Sequence, residues 1–466
     1  MEIGNNSGLR RGFSTGSVST AAIKASVRYY FKCHEFLQIE IKMPGGENVA
    51  IGIAGLSKKN GGISSAVIIK NSGDDPDVTN GIKICADFMF LDGAGDLANI
   101  LLNGFGNVQG GNNQDNLCTG DGLNLSENSD IRLHLYGEVN SAIMKCLPDG
   151  IKSYYGKLHI YNIIKHSGLT LILSSSAGIG IVRRPGLPVK PGFPAINPVP
   201  FKMIERAVKE EIDCLIGDPA VNKSKPNGVP DNKILLSILY APDGEIVAKK
   251  TLNARLGVEG GISILGTTGY VIPVSAKAWL GTIKSSLVFL SGNGITECVY
   301  TPGRFSEKIA MGLFKDMPRE SFIEIGDYIS YSVKKATEFG IKRIIFVGQF
   351  GKIVKILQGA RNTNAKYGSP DLRYLGLFIK TTLEEYADMP ADAVNNLYEK
   401  IINSNTSRQA YDHIVSSYDF YEWLPDKIFR NILKRARENL IGMAEKEISI
   451  DIVLISYTGG ILTSTL

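Results

Sequence analysis

The chain has 466 residues, 44% hydrophobic and 21% charged, a globular composition that excludes disorder, collagen-like repeats and coiled coil. Lysine and arginine number 51 against 46 aspartates and glutamates, a net charge of +5 with no long basic cluster, which argues against a nucleic-acid partner and suits a small anionic ligand. The six cysteines show no metal-ligand or redox spacing, the polar start lacks an apolar signal core, and no apolar run approaches the roughly 18 residues of a membrane span, so a cytoplasmic protein with reduced thiols and no membrane contact is expected.

In chain order, hydroxyls at Ser14, Thr15 and Ser17 and the spacing of Ile23, Val27, Tyr30 and Phe31 predict a helix over residues 17–32. Alternating segments at 37–43 and 48–54 about Pro44-Gly45-Gly46 predict a hairpin, and an apolar run covers 63–70. Residues 92–130, crowded with Gly and Asn, read as a long loop or insertion. Strands are expected at 131–136, 157–164 and 169–174, a helix at 201–211, and a hairpin across 233–251 around Pro242-Asp243-Gly244. Beyond Gly269 the spacing predicts a strand at 287–290, a helix at 325–339, a buried strand at 342–347 and a glycine turn entering a further helix. Several helices over 382–446 and a closing strand at 447–457 complete the chain. Alternating strand, turn and helix is the pattern of a parallel α/β sheet. The expected fold class is α/β and α+β: an N-terminal mixed α+β sandwich-like domain over 1–275, with a Gly/Asn-rich insertion at about 92–158, then a Rossmann-like α/β domain with a helical segment over 276–466.

No Ser/His/Asp order, Walker loop or metal-ligand cluster is present and the five histidines are scattered, so no metal site is expected. Five segments are instead too rich in special-geometry residues to be packing elements. Arg10-Arg11-Gly12-Phe13-Ser14-Thr15-Gly16-Ser17 precedes a helix, where N–H groups and hydroxyls make an anion seat or a plain cap. Gly73-Asp74-Asp75-Pro76-Asp77-Val78-Thr79-Asn80-Gly81 sets three carboxylates in one loop: an Asx-turn cluster, a divalent-metal site, or groups that hold ligand hydroxyls or a cationic centre. Ser176-Ala177-Gly178-Ile179-Gly180-Ile181-Val182-Arg183-Arg184-Pro185-Gly186, continuing to Pro194-Ala195-Ile196-Asn197-Pro198-Val199-Pro200, offers a carboxylate clamp or solvated arginines on a rigid loop.

The fourth segment, residues 253–269, carries Arg255 and five glycines among Ser and Thr; its backbone amides can approach a ligand closely, or it is a hinge at the domain boundary, where clefts favour ligands. The fifth is Val347-Gly348-Gln349-Phe350-Gly351-Lys352-Ile353-Val354-Lys355 with Arg361-Asn362-Thr363-Asn364-Ala365-Lys366 after it. It lies at the carboxyl end of a predicted parallel strand, where open α/β sheets bind ligands, or is a glycine-lined turn with surface lysines. A kinase reading fails because no Ser or Thr follows Lys352 to hold magnesium.

In this order the five segments resemble the CbiD family, the cobalt-precorrin-5B C-1 methyltransferases of anaerobic cobalamin biosynthesis, from Leu9 to about Thr463 with roughly 92–158 left out. The runs Gly-Asp-Asp-Pro-Asp-Val-Thr-Asn-Gly, Ala-Ile-Asn-Pro-Val-Pro and Gly-Gly-Ile-Ser-Ile-Leu-Gly-Thr-Thr-Gly carry the likeness. Three places depart from the family pattern: Gln349-Phe350-Gly351-Lys352 for His-x-Gly-Lys, Asn362-Thr363-Asn364-Ala365 for Asn-Thr-His-Ser, and Ser14-Thr15-Gly16-Ser17-Val18-Ser19 for Thr-Thr-Gly-x-Cys-Ala. The resemblance implies S-adenosylmethionine as methyl donor, a tetrapyrrole substrate carrying its own cobalt, and transient contact with other enzymes of the pathway. The expected catalytic groups are Asp74, Asp75 and Asp77. Thr15, Gly16, Thr79, Asn80, Gly266, Thr267, Thr268 and Gly269 are expected to hold the cofactor. Arg183, Arg184, Asn197, Arg255, Gly348, Gly351, Lys352, Lys355, Asn362 and Thr363 are expected on the substrate. The rival readings are a methyltransferase acting on another tetrapyrrole and a non-catalytic corrinoid-binding scaffold.

Overall fold

A computed structural model describes residues 8–91, 97, 100, 129–147, 152–153, 155–216, 234–273, 275–385 and 389–466; most of the expected insertion therefore lies outside the described residues. The chain divides into two compact units, Met1–Val274 and Ser275–Leu466. Among the described residues, no helix is long and apolar enough to cross a membrane.

The amino-terminal unit runs β1 (Gly12–Phe13), α1 (Thr15–Lys32), β2 (Gln38–Lys42), β3 (Asn48–Gly52), β4 (Gly55–Lys59), β5 (Ile63–Ile69), β6 (Lys83–Phe90), α2 (Ser129–Cys146), β7 (His159–His166), β8 (Leu169–Ser175), β9 (Gly178–Ile179), β10 (Ile181–Val182), α3 (Pro198–Ile216), β11 (Ile234–Tyr240), α4 (Gly244–Ala248), β12 (Val258–Glu259), β13 (Gly261–Ile262) and β14 (Tyr270–Val271). Six strands form the main sheet in the order β4-β5-β6-β11-β8-β7. Only β11 and β8 run parallel; the other neighbours are antiparallel. Alternation along β6 turns Ile84, Ala86 and Phe88 into one core with α1 and α3, and Cys85 and Met89 into a second core with α2. Small side chains at Ala21, Ala22 and Ala25 let α1 lie close against its neighbours, and Arg28 donates from Nε and Nη2 to the two oxygens of buried Glu211 on α3 at 2.7 and 2.6 Å.

Two sequence expectations fail here, and one strand has no expectation to match it. Residues 131–136 belong to α2, not a strand: the short alternation Ile-Arg-Leu-His-Leu is overridden by the helical spacing of Tyr136, Val139 and Ile143, all buried. No hairpin forms around Pro242-Asp243-Gly244, because β11 is buried along its whole length between β6 and β8, and the chain then enters α4. The central strand β6 was not anticipated at all; like β11 it reads as an apolar run without a clear period.

The carboxy-terminal unit runs α5 (Ala276–Gly292), β15 (Glu297–Thr301), α6 (Arg304–Leu313), β16 (Phe322–Glu324), α7 (Ile329–Glu338), β17 (Arg343–Gln349), α8 (Phe350–Leu357), α9 (Leu372–Glu384), α10 (Ala391–Ile402), α11 (Ser407–Ser416), α12 (Leu424–Ile441), β18 (Ser449–Ile455) and β19 (Ile461–Ser464). Its sheet has the order β16-β15-β17-β18-β19, the first four strands parallel and β19 antiparallel. Val299, Phe322, Ile345, Val347, Val453 and Ile455 pack on one side of it with Ala310 of α6. The strand expected at 287–290 is instead the last part of α5, whose Ile283, Leu287 and Leu290 are buried at helical spacing. The strand expected to close the sheet, now β18, is interior, and β19 takes the edge.

Candidate active site

Four of the five motif segments are bonded to one another within the amino-terminal unit. Gly12 and Phe13 pair with Val271 and Tyr270, the Phe13 amide donates to the Asn71 carbonyl at 2.7 Å, and those of Ser14 and Gly16 donate to Gly269 and Leu265 at 2.9 and 3.0 Å. β13 pairs with β9 and β10 with β12, while the amide of Asn197 donates to the Ile264 carbonyl at 2.9 Å. Glycine is required where these chains cross. A Cβ at Gly12 would overlap the Ser72 backbone, and one at Gly178, at φ +77°, would overlap the Ala241 carbonyl; Gly261 meets Gly178 in the same way.

The start of α1 is a cap, filled from within the chain. Ser14 Oγ accepts from the Ser17 amide at 3.2 Å, Thr15 Oγ1 accepts from the Leu265 amide at 2.9 Å, and Ser17 Oγ donates to the Gly269 carbonyl at 2.6 Å. Thr15, Gly16 and Gly269 are buried in this seam, whereas Thr267 and Thr268 are exposed on the loop beside it. A Cβ on Gly266 would strike the Ser14 side chain.

The three aspartates of residues 73–81 have different surroundings. Asp74 is exposed and accepts from Arg10, through the backbone amide at 2.8 Å and the guanidinium at 2.9 and 3.1 Å; those bonds hold its carboxyl below the usual range. Asp77 faces inward: Oδ2 accepts from Lys70 Nζ at 2.6 Å, and Oδ1 from the amide and hydroxyl of Thr79 at 2.8 and 2.7 Å. Burial alone would raise the Asp77 carboxyl, but Lys70 and Thr79 outweigh it and lower it. Lys70, 1% exposed, is itself lowered by burial against the pull of Asp77. Asp75 is half-buried in the same loop, and Asn80 Oδ1 accepts from the Ser72 amide at 2.9 Å.

Arg183 leaves β10 with its amide bonded to the Gly257 carbonyl at 2.7 Å and its exposed guanidinium 3.2 Å from Glu259. Arg184 follows it in the chain, and Arg255 lies in the short turn Asn253–Leu256 that precedes Gly257 and β12, so three arginines occur on the segments flanking the β10–β12 ladder.

The fifth segment lies in the carboxy-terminal unit. Gly348 and Gln349 end β17, and Gly351, Lys352 and Lys355 sit on α8. Sequence reasoning missed the residue that organises this corner, Asp327, which follows β16. Its Oδ1 accepts from Lys352 Nζ and from Thr363 Oγ1 at 2.8 Å, and its Oδ2 from Asn364 Nδ2 at 3.0 Å. Burial would raise this carboxyl too; the Lys352 bond and the two neutral donors win and lower it. Lys355 Nζ donates to the Thr363 carbonyl at 3.0 Å, and burial beside Lys352 lowers its ammonium. Asn364, where the family pattern has histidine, thus keeps an N–H donor on Asp327. Asn362 Oδ1 accepts from the Asn364 amide at 2.9 Å, completing the turn. Glycine and acid around a strand only three residues long, Glu324-Ile325-Gly326-Asp327, were the available signal. Among the described residues, no three His, Cys, Asp or Glu side chains are grouped to hold a metal ion.

The family model described as CbiD matches residues 2–110 and 154–273, and that described as CbiD, C-terminal domain, matches 383–465. A cobalt-precorrin-5B C(1)-methyltransferase from Geobacter metallireducens is 31% identical, covering 80% of this chain and 80% of its own length. The enzyme of the same name from Thermoanaerobacter sp. (strain X514) is 27% identical over 97% of this chain and 94% of its own, and that from Priestia megaterium is 34% identical over 64% and 76%. A 1.9 Å crystal structure of the cobalamin biosynthesis protein CbiD from Archaeoglobus fulgidus, 21% identical, covers 77% of this chain and 83% of that one with a TM-score of 0.31. On the extent of these matches the chain belongs to the CbiD family.

Proposed function

We propose that this protein methylates cobalt-precorrin-5B at C-1, giving cobalt-precorrin-6A in the cytoplasm, with S-adenosylmethionine as donor. That donor supplies a methyl group already activated by a positive sulfur, and the acceptor is an electron-rich ring carbon. The protein therefore needs no nucleophile of its own; it has to orient two ligands and exclude water, the contribution that proximity makes in bimolecular reactions. The observation that carries the reading is the arginine ladder. A corrin precursor presents several carboxylate arms, and we assign Arg183, Arg184 and Arg255, on the segments flanking β10 and β12, to meet them, since guanidinium pairs with carboxylate in a planar, two-bond geometry. The Arg183–Glu259 pair is exposed on both sides, at 50% and 69%, so an incoming carboxylate can replace Glu259 at little cost.

In the amino-terminal unit, exposed Thr267 and Thr268 are the loop groups we assign to ligand contact, with half-buried Asp75 as a further polar contact. Thr15, Gly16, Thr79, Asn80, Gly266, Gly269, Asp74 and Asp77 shape that surface, and Asn197 anchors it at the head of α3. Within the carboxy-terminal unit itself, Lys352 and Lys355 are the cations we assign to an anionic ligand group, and Gly348, Gly351, Asn362 and Thr363 set the turn that carries them. The strand order β16-β15-β17-β18 supports a Rossmann-like reading of this unit.

A single-turnover incubation with S-adenosylmethionine and cobalt-precorrin-5B, read by mass spectrometry, tests the proposal: the corrinoid should gain one methyl group. Arg183→Ala should weaken corrinoid binding about tenfold with a smaller effect on the rate at saturation. Binding without a mass change would favour the scaffold reading, which Gln349 and Asn364 in the family's histidine positions keep in view.

A further inference from the structure

We propose that the carboxy-terminal unit holds the adenosine of the methyl donor at the open end of its parallel sheet, with Glu324 accepting hydrogen bonds from the ribose diol; the inference rests on the methyltransferase reading above. β15 and β17 are neighbours, yet the chain leaves β15 through α6 towards β16 and leaves β17 through α8 towards β18, in opposite directions across the sheet. Such a switch point opens a crevice beyond the carboxyl ends of the strands, where open α/β sheets take nucleotide-like ligands. β15 ends there at Thr301, followed by Pro302 and Gly303, and α6 begins at Arg304.

Glu324 is the last residue of β16 and pairs in register with Thr301, so both side chains leave the same face of the sheet. It stands about 20 residues after the glycine, the separation at which an acidic residue meets a ribose in dinucleotide folds. A Cβ placed on Gly303 would come within 3.8 Å of Glu324 Oε1, so the carboxylate borders a position without a side chain, where a ligand can approach the backbone. An independent observation lies alongside: the hydroxyl of Thr301, at 0% exposure, has no hydrogen-bond partner among the described residues, although buried hydroxyls at a finished strand end are ordinarily satisfied. Asp327, three residues on, has a different part. Lys352, Thr363 and Asn364 occupy its oxygens, and it braces the edge next to the crevice.

The test is calorimetric titration of the full-length protein with S-adenosylhomocysteine and with its 2′,3′-dideoxyribose analogue. The parent should bind the analogue about 10- to 100-fold more weakly, the range for hydrogen bonds to a charged acceptor. Glu324→Gln should lose about tenfold for S-adenosylhomocysteine and discriminate between the two ligands less than the parent, with thermal unfolding unchanged. Equal affinity of the parent for both ligands, or undiminished binding and discrimination by Glu324→Gln, overturns this site while leaving methyl transfer by the parent to stand by itself. A parent that neither binds S-adenosylhomocysteine nor methylates the corrinoid overturns both.

Discussion

Polar groups are put to different uses in the two units. In the amino-terminal unit Thr15, Ser17 and Asp77 are bonded into their own chain, and Gly12, Gly73, Gly178 and Gly261 sit where backbone meets backbone. At the sheet edge of the carboxy-terminal unit the same residue types form a half-open corner: Lys352 remains 35% exposed, against 1% for Lys70. A run of Gly, Thr and Asp can therefore be as demanding when its task is to let two strands touch as when it cradles a ligand. Exposure is what separates the two uses.

Substitutions should break that contrast in a graded way. The largest effect is expected from Gly178→Ala, which combines a left-handed backbone with overlap on the Ala241 carbonyl; a loss of about 3 kcal/mol in urea unfolding follows from strain and overpacking together. Lys70→Met comes next at about 2 kcal/mol, because Asp77 then keeps a partly buried charge without its cation. Lys352→Met should cost about 1 kcal/mol or less, since the corner is half-solvated and Thr363 and Asn364 still donate to Asp327. If the two lysine variants proved equally mild, the contrast between closed and open networks would be lost.

A separate effect is a slope with pH. Burial, with Lys157 and Arg183 nearby, lowers the His159 imidazole from 6.5 to about 4. The unfolded chain therefore takes up a proton that the fold refuses, so this contribution is complete above pH 6.5 and is lost as pH falls towards 4. His159→Gln should flatten that part of the denaturation-midpoint profile between pH 7 and 5.

Long elements with a clean period were readable in advance: α1 from its hydroxyl cap and Ile23/Val27 spacing, β2 and β3 from alternation around Pro44-Gly45-Gly46, β17 from its β-branched run. Misreadings came from short windows. Four apolar residues at 287–290 and the alternation at 131–135 look like strands until the surrounding helical spacing is counted. The polar partnerships were less legible still. Lys70–Asp77 spans a turn whose aspartates look interchangeable on paper, and Asp327 joins Lys352 and Asn364 from positions well apart in the chain. Such choices are made by tertiary register, which no local pattern records.

The pairing of β1 with β14 has a consequence during synthesis. Thr15 donates to the Ser263 carbonyl across a separation of 248 residues, so the bond that ties the head of α1 to that loop forms only after nearly the whole unit has left the ribosome, whereas the Ser14–Ser17 cap is local. At ordinary translation rates that is a wait of roughly 10 to 50 seconds. The apolar side of α1 does not wait as long, since its partners β5 and β6 are complete by residue 90 and α3 by residue 216, so the core around the helix can form before the tie at its head.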